Sequence, residues 1–268
     1  VTVATRRWAR WLVIGAAYAV ILGYLAGTPA GLWDKADLVG YAICHRIPSH
    51  SLVVNGRPLP LCARCSGIFL GAMIAVGSFW LVRRRHSELP PLRVVLVLLG
   101  FSAIMVLDGL NSYIGLLPFG QSVYAPTNTA RLLTGTLHGL TIGTIAYPIA
   151  VGTFFRTGRP EPVLKNLPEL SALVVAALGL AALSLTGWAP ILYALALVST
   201  AGVLVTLTLV NAVMVVILTG RENKAESGRD ILLPLLVGVA LSLALIATID
   251  VVRYALTGTL NSLPGLPQ

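Results

Sequence analysis

The sequence predicts an all-α fold, a polytopic transmembrane helix bundle of about seven spans with a small outer loop carrying a short helix and a hairpin. Three observations predict it. Of 268 residues, 56% are hydrophobic and only 11% charged, with a mean hydropathy of +0.86, whereas soluble domains carry about 25% charged residues. Seven apolar stretches reach the roughly 20 residues a helix needs to cross a bilayer core. The basic residues gather at alternate ends of those stretches. Together these exclude a soluble globular enzyme, a disordered chain and a secreted disulfide miniprotein.

The spans fall near residues 9–27, 66–82, 92–115, 131–154, 168–187, 190–219 and 231–256. With the spans alternating, Arg6, Arg7, Arg10, Arg83, Arg84 and Arg85 share one side. Arg93, Arg156, Arg159, Lys165, Arg221, Lys224 and Arg229 join them, making thirteen of the 19 basic residues. Cytoplasmic loops collect such an excess, which predicts an integral cytoplasmic (inner) membrane protein of bacterial type with its N-terminus in and C-terminus out. The formal charge of +9 is thus mostly a topology signal. It calls for no nucleic acid; the expected surroundings are the lipid bilayer, with membrane-complex partners as the alternative reading. The first span has a basic start and a Thr28-Pro29-Ala30 stretch resembling a cleavage site, but its apolar run exceeds a usual signal-peptide core, so it reads as a retained anchor. No repeat of about 20–50 residues supports a solenoid or inverted-repeat architecture, and residues 1–268 read as a single integral membrane domain.

The longest outer connection, residues 28–65, collects the chemistry. Asp34 to Arg46 reads as a short interfacial helix, with Asp34 as N-cap and Leu38, Tyr41 and Ala42 at helical spacing. The following SLVVNGRPLPL reads as a hairpin whose Asn55-Gly56 supplies the positive φ of a tight turn. All three cysteines, Cys44, Cys62 and Cys65, lie in this loop and the helix mouth it enters. A C-x-x-C turn brings two thiolates to one ion, and a third thiolate with His45 or His50 would complete a tetrahedral zinc or iron site. The same atoms support a redox-active dithiol, with Arg64 favouring the thiolate and a membrane quinone taking electrons. They also support a disulfide, Cys62–Cys65 or Cys44–Cys62, that staples the loop. Haem attachment is disfavoured, because Ser66 follows Cys65 where that motif needs His.

Ionisable residues in the spans concentrate toward the same outer side. Asp108, Asn111 and Ser112 share one helix face, and Asn128, Arg131, Gly135 and His138 share another. Asp250, Arg253 and Thr257 close the last span. Charged side chains in a bilayer usually face protein or a wet cavity. Asp108, Arg131 and His138 are therefore candidate catalytic residues, and Asn111, Asn128 and Arg64 candidates to hold a cofactor. The alternative is that Asp108–Arg131 and Asp250–Arg253 are ion pairs locking the bundle, and that His138 is a hydrogen-bonded packing residue. Gly135, Gly139 and Gly143, at every fourth position, read as a close helix contact.

The stretch CHRIPSHSLVVNGRPLPLCARCSGIFLG, Asp108-Gly109 and NTARLLTG from Asn128 to Gly135 resemble the bacterial and archaeal membrane proteins grouped as domain of unknown function 2085. The resemblance covers residues 41–139 approximately and implies a multipass membrane protein of no established activity. Other seven-span classes fit poorly. A retinal protein needs a lysine inside the bundle, yet Lys35, Lys165 and Lys224 all lie in loops, and no HExxH marks a metalloprotease. Three classes remain: a metal-dependent membrane protein, a quinone-linked thiol–disulfide oxidoreductase, and a non-catalytic subunit or assembly factor of a larger membrane complex.

Overall fold

The computed structural model describes residues 3–83, 85–115 and 120–260. Arg84 of the expected basic cluster, and the side chains of Arg6 and Arg7, lie outside the described residues. The helices are α1 (Val3–Gly27), α2 (Leu32–Ile43), α3 (Ala63–Val82), α4 (Leu92–Ile114), α5 (Asn128–Phe154), α6 (Leu167–Ser184), α7 (Ala189–Leu218) and α8 (Leu232–Thr257). All but α2 are long and apolar enough to cross a membrane. The strands are short: β1 (Val53–Val54), β2 (Arg57–Pro58), β3 (His86–Glu88) and β4 (Arg159–Pro162). The chain is thus an all-α polytopic bundle. Many large apolar side chains point outward, among them Leu96, Leu99, Val175, Leu218 and Val251. Water would penalise so extensive an apolar surface, and lipid does not.

The centre of the bundle is the α3–α5 pair. A side chain at Gly67 would collide with the Leu132 carbonyl and one at Gly71 with the Thr136 carbonyl. In return, Gly135 and Gly139 lie against the Arg64 and Ile68 carbonyls, and Gly143 against Ala75. Absent side chains let the two backbones touch, and dispersion between them replaces the hydrophobic drive missing within lipid. Leu98, Leu140, Val163 and Ala177 bring α4, α6 and the α5–α6 connection around the pair. Ala150, Ala212 and Val216 seat α5 on α7. The first helix is peripheral and packs mainly on α8.

At one end β3 pairs in parallel with β4, and an isolated bridge joins Phe155 to Ala225. Arg83 pairs with Glu169 at 2.8 Å, and the Arg85 guanidinium donates to the Glu226 carbonyl at 2.9 Å. The basic connections after α3, α5 and α7 therefore meet on one side, as their charge implies.

The opposite end holds the cysteine loop. The short helix starts three residues earlier than expected, with Gly31 rather than Asp34 as its N-cap, and ends at Ile43 rather than Arg46. Asp34 instead sits in the first turn, where an acidic side chain suits the helix dipole, and it pairs with Arg57 at 2.8 Å. The Asn55-Gly56 turn has φ of 50° and 78°, joining β1 to β2. Arg57 also reaches Asp37 at 2.5 Å, fastening the hairpin to α2.

Candidate metal centre

Cys44 leaves the end of α2 in extended conformation, its N–H still bonded to the Gly40 carbonyl. That carries Cys44 and His45 off the helix toward the start of α3. Gly40 lies so close to the Pro60 carbonyl that any side chain there would collide, which brings the two ends of the loop together. Cys62 is the N-cap of α3, and its N–H donates to Cys44 Sγ at 3.3 Å. Cys65 stands one turn further along α3. From α8, Arg253 donates to the Tyr41 carbonyl and, at 2.7 Å, to the Cys44 carbonyl, while its guanidinium stacks 4.1 Å from the Tyr41 ring centroid.

The ligand atoms of Cys44, His45 and Cys62 all lie within 4.8 Å of one another. Cys44 and Cys62 are buried, and His45 is half-buried. The three cysteines are unbridged; Cys65 packs against the cluster that holds Cys44 and Cys62 but is not one of the three residues whose ligand atoms converge. Hydrogen bonds from Cys62 and then Cys65 hold the Cys44 thiol well below its usual range, whereas sharing its proton with Cys44 pushes Cys62 up to about 12. Cys44 Sγ accepts from the Cys62 N–H at the start of α3, so the positive end of that helix dipole also favours the Cys44 thiolate. His45 Nδ1 lies 3.8 Å from Cys44 Sγ, and His45 Nε2 lies 3.2 Å from His50 Nδ1. Burial first, then the charges of Arg131, His45 and Arg64, push the His50 imidazole down to about 4. His50 is therefore neutral at pH 7, and its Nδ1 can accept a proton from His45 Nε2 in a hydrogen bond.

Beneath the thiols lies a polar layer between α3, α4 and α5. Arg64, in the first turn of α3, pairs with Asp108 Oδ2 at 2.5 Å and donates to Ser112 Oγ at 3.1 Å. The Tyr124 hydroxyl donates to Asp108 Oδ1 at 2.7 Å. The expected Asp108–Arg131 pair is thus replaced by Asp108–Arg64, since the close α3–α5 contact brings the Arg64 turn against α4. Arg131 instead donates to Asn128 Oδ1 at 2.9 Å. The expected Asp250–Arg253 pair is also absent among the described residues, because Arg253 turns to the carbonyls at the end of α2.

The remaining candidates separate. Asn111 is engaged with the chain after α4: it accepts from Val123 N–H at 2.7 Å and donates to the Tyr124 carbonyl at 3.0 Å, pinning the α4–α5 connection. Asn128 donates to the Ser49 and Ser51 carbonyls, each at 3.2 Å, and so ties α5 to the His50 segment. His138 turns toward α4, with Nδ1 3.0 Å from Ser102 Oγ, and does not reach the cysteines. Tyr124 was not anticipated. It lies in an irregular connection with no periodicity to orient it, and only the shared face of Asp108 and Ser112 hinted that a partner was needed there.

Seven membrane-length helices with a buried thiol–imidazole cluster at one end define a polytopic membrane protein with a candidate metal centre. Residues 44–145 match the family described as "Predicted membrane protein (DUF2085)", which shows the resemblance over the segment holding every cysteine, Asp108, Arg131 and His138. The chain is also similar to an uncharacterized protein of Methanocaldococcus jannaschii, 26% identical over 127 residues that cover 46% of this chain and 76% of that protein. No solved structure matches.

Proposed function

We propose that this chain is an integral membrane protein whose Cys44, His45, Cys62 and Cys65 hold a zinc or iron ion that ties the end of α2 to the start of α3. The convergence of Cys44, His45 and Cys62 within 4.8 Å carries this reading. We take Cys65 as the fourth donor, since it packs against the cluster that holds Cys44 and Cys62 and stands one turn into α3. Four protein donors close a tetrahedral ion, as in structural rather than catalytic zinc sites. His45 faces the ion through Nδ1 and is oriented by His50, the kind of outer support that metal-bound imidazoles receive. When bound, the ion takes the place of the protons the thiols now share and neutralises thiolate charge. Asp108 is engaged through both oxygens and His138 through Nδ1. We therefore assign Asp108 to holding the polar layer together and His138 to a hydrogen bond that fastens α5 to α4.

Elemental analysis, intact mass and thiol titration of a single preparation test this. The expected result is about one zinc or iron per chain, lost in the Cys44→Ser/Cys62→Ser double variant. Metal-free protein with every thiol titratable would sink the proposal. The closeness of Cys44 and Cys62, whose sulfurs lie within 4.8 Å of each other, favours a second reading as a thiol–disulfide oxidoreductase. There, Cys44 and Cys62 form a disulfide, and their two electrons and two protons reduce a quinone to a quinol. Its mark is a metal-free protein that becomes two hydrogens lighter when quinone is added. Co-purification of a stoichiometric partner in mild detergent would make the chain a subunit of a larger complex.

A further inference from the structure

At the basic end of the bundle, remote from the cysteines, a cavity of about 770 Å³ opens between α1, α7 and α8. Its walls are apolar, formed by Val13 of α1, Val215 and Val216 of α7, and Leu233 and Val237 of α8. Its rim is basic, formed by Arg10, Arg221, Lys224 and Arg229. The acidic residue on the rim, Asp230, is turned back on its own loop. It accepts from the Glu226 and Ser227 N–H groups at 3.1 and 2.8 Å, and from the Ser227 hydroxyl at 3.0 Å.

The rim differs from its surroundings in charge balance. At the same end Arg83, Arg156 and Lys165 each have a carboxylate partner. None of the four rim cations has one among the described residues. Among the described residues the Lys224 ammonium bonds a neutral group, the Gly220 carbonyl, at 2.5 Å. Exposed Trp8 and Trp11 flank Arg10 on α1, and tryptophans mark the headgroup level of a membrane. An apolar slot at bilayer depth under four unbalanced cations at headgroup depth has the form of a phospholipid with an anionic head.

We propose that this groove binds an anionic phospholipid, with its phosphate on Arg10, Arg221, Lys224 and Arg229 and its acyl chains along α1, α7 and α8. A basic residue near an anionic headgroup contributes about fivefold in affinity, so neutralising three should lower it on the order of a hundredfold. The test uses delipidated full-length protein in mild detergent, with bound lipid counted by native mass spectrometry. The probes are phosphatidylglycerol, phosphatidylcholine with the same acyl chains, and inorganic phosphate. Phosphatidylglycerol should be retained over phosphatidylcholine. The Arg221→Gln/Lys224→Gln/Arg229→Gln variant should lose that preference, while Arg156→Gln/Arg159→Gln on the neighbouring surface should keep it. Should the triple variant not fold, Arg221→Gln alone should show the single-charge loss. Equal retention of both lipids overturns the proposal, as does undiminished binding by the groove variants or an equal loss in the surface variant. Complete displacement by inorganic phosphate would assign the rim to a free anion and overturn it too.

Discussion

Arg64 and Asp108 form the one ion pair in which both side chains are buried among the described residues. Asp108 is further fixed by Tyr124, and Arg64 by Ser112. A paired charge at this depth is tolerable, but an orphaned one is not. Asp108→Ala leaves the Arg64 guanidinium buried without its partner, and should destabilise the protein by about 3–5 kcal/mol. Replacing both residues with apolar side chains, Arg64→Met with Asp108→Leu, should recover most of that loss, because no lone charge remains. Denaturant unfolding in detergent micelles checks both. If the double variant is as unstable as Asp108→Ala, the pair does more than satisfy its own charges. Arg64 also shows where single-residue reasoning falls short. Placed between two cysteines, it reads as a thiolate neighbour, but its side chain runs to α4. Only the rotation of α3 decides that, and rotation follows from glycine contacts that the local motif does not contain.

The α3–α5 contact is the element that sets this rotation. The four-residue glycine spacing in residues 135–143 was legible as a close contact, whereas its partner, the Gly67 and Gly71 face of α3, came from the structure. The spacing names one face of α5, and a helix has few faces on which to pack. It predicts that Gly139→Ala, whose new methyl meets the Ile68 carbonyl, costs about 1–3 kcal/mol through overpacking. Gly77→Ala, on the same α3 but facing open space, should be neutral or slightly stabilising, since alanine is the better helix former. Thermal unfolding of the two variants in one detergent makes the comparison. Equal effects would mean that glycine flexibility, not close approach, matters here. The same logic failed for the Asn128, Arg131, Gly135 and His138 stripe. Those residues share a face loosely, but α5 is wedged between α3 and α4, so Gly135 meets α3 while His138 meets Ser102 of α4.

For the whole molecule, the span count and the convergence of basic connections at one end followed from composition and charge alone. Bilayer thickness and the cost of burying charge leave few alternatives. The parallel β3–β4 pairing and the groove under α1 were not legible, because both arise from elements far apart in the chain. The charge bias further predicts that the cysteine end faces outward. In intact cells, Asn55→Cys should react with a membrane-impermeant thiol label above the wild-type background, and Arg159→Cys only after permeabilisation. The reverse pattern would invert the molecule and put the cysteines on the cytoplasmic side. The metal itself is tested most directly by X-ray absorption at the zinc or iron edge of the purified protein. The proposed Cys/His site gives a first shell dominated by sulfur at about 2.3 Å, with one nitrogen at about 2.0–2.1 Å for zinc. A shell of oxygen and nitrogen only, or no metal edge at all, would contradict it.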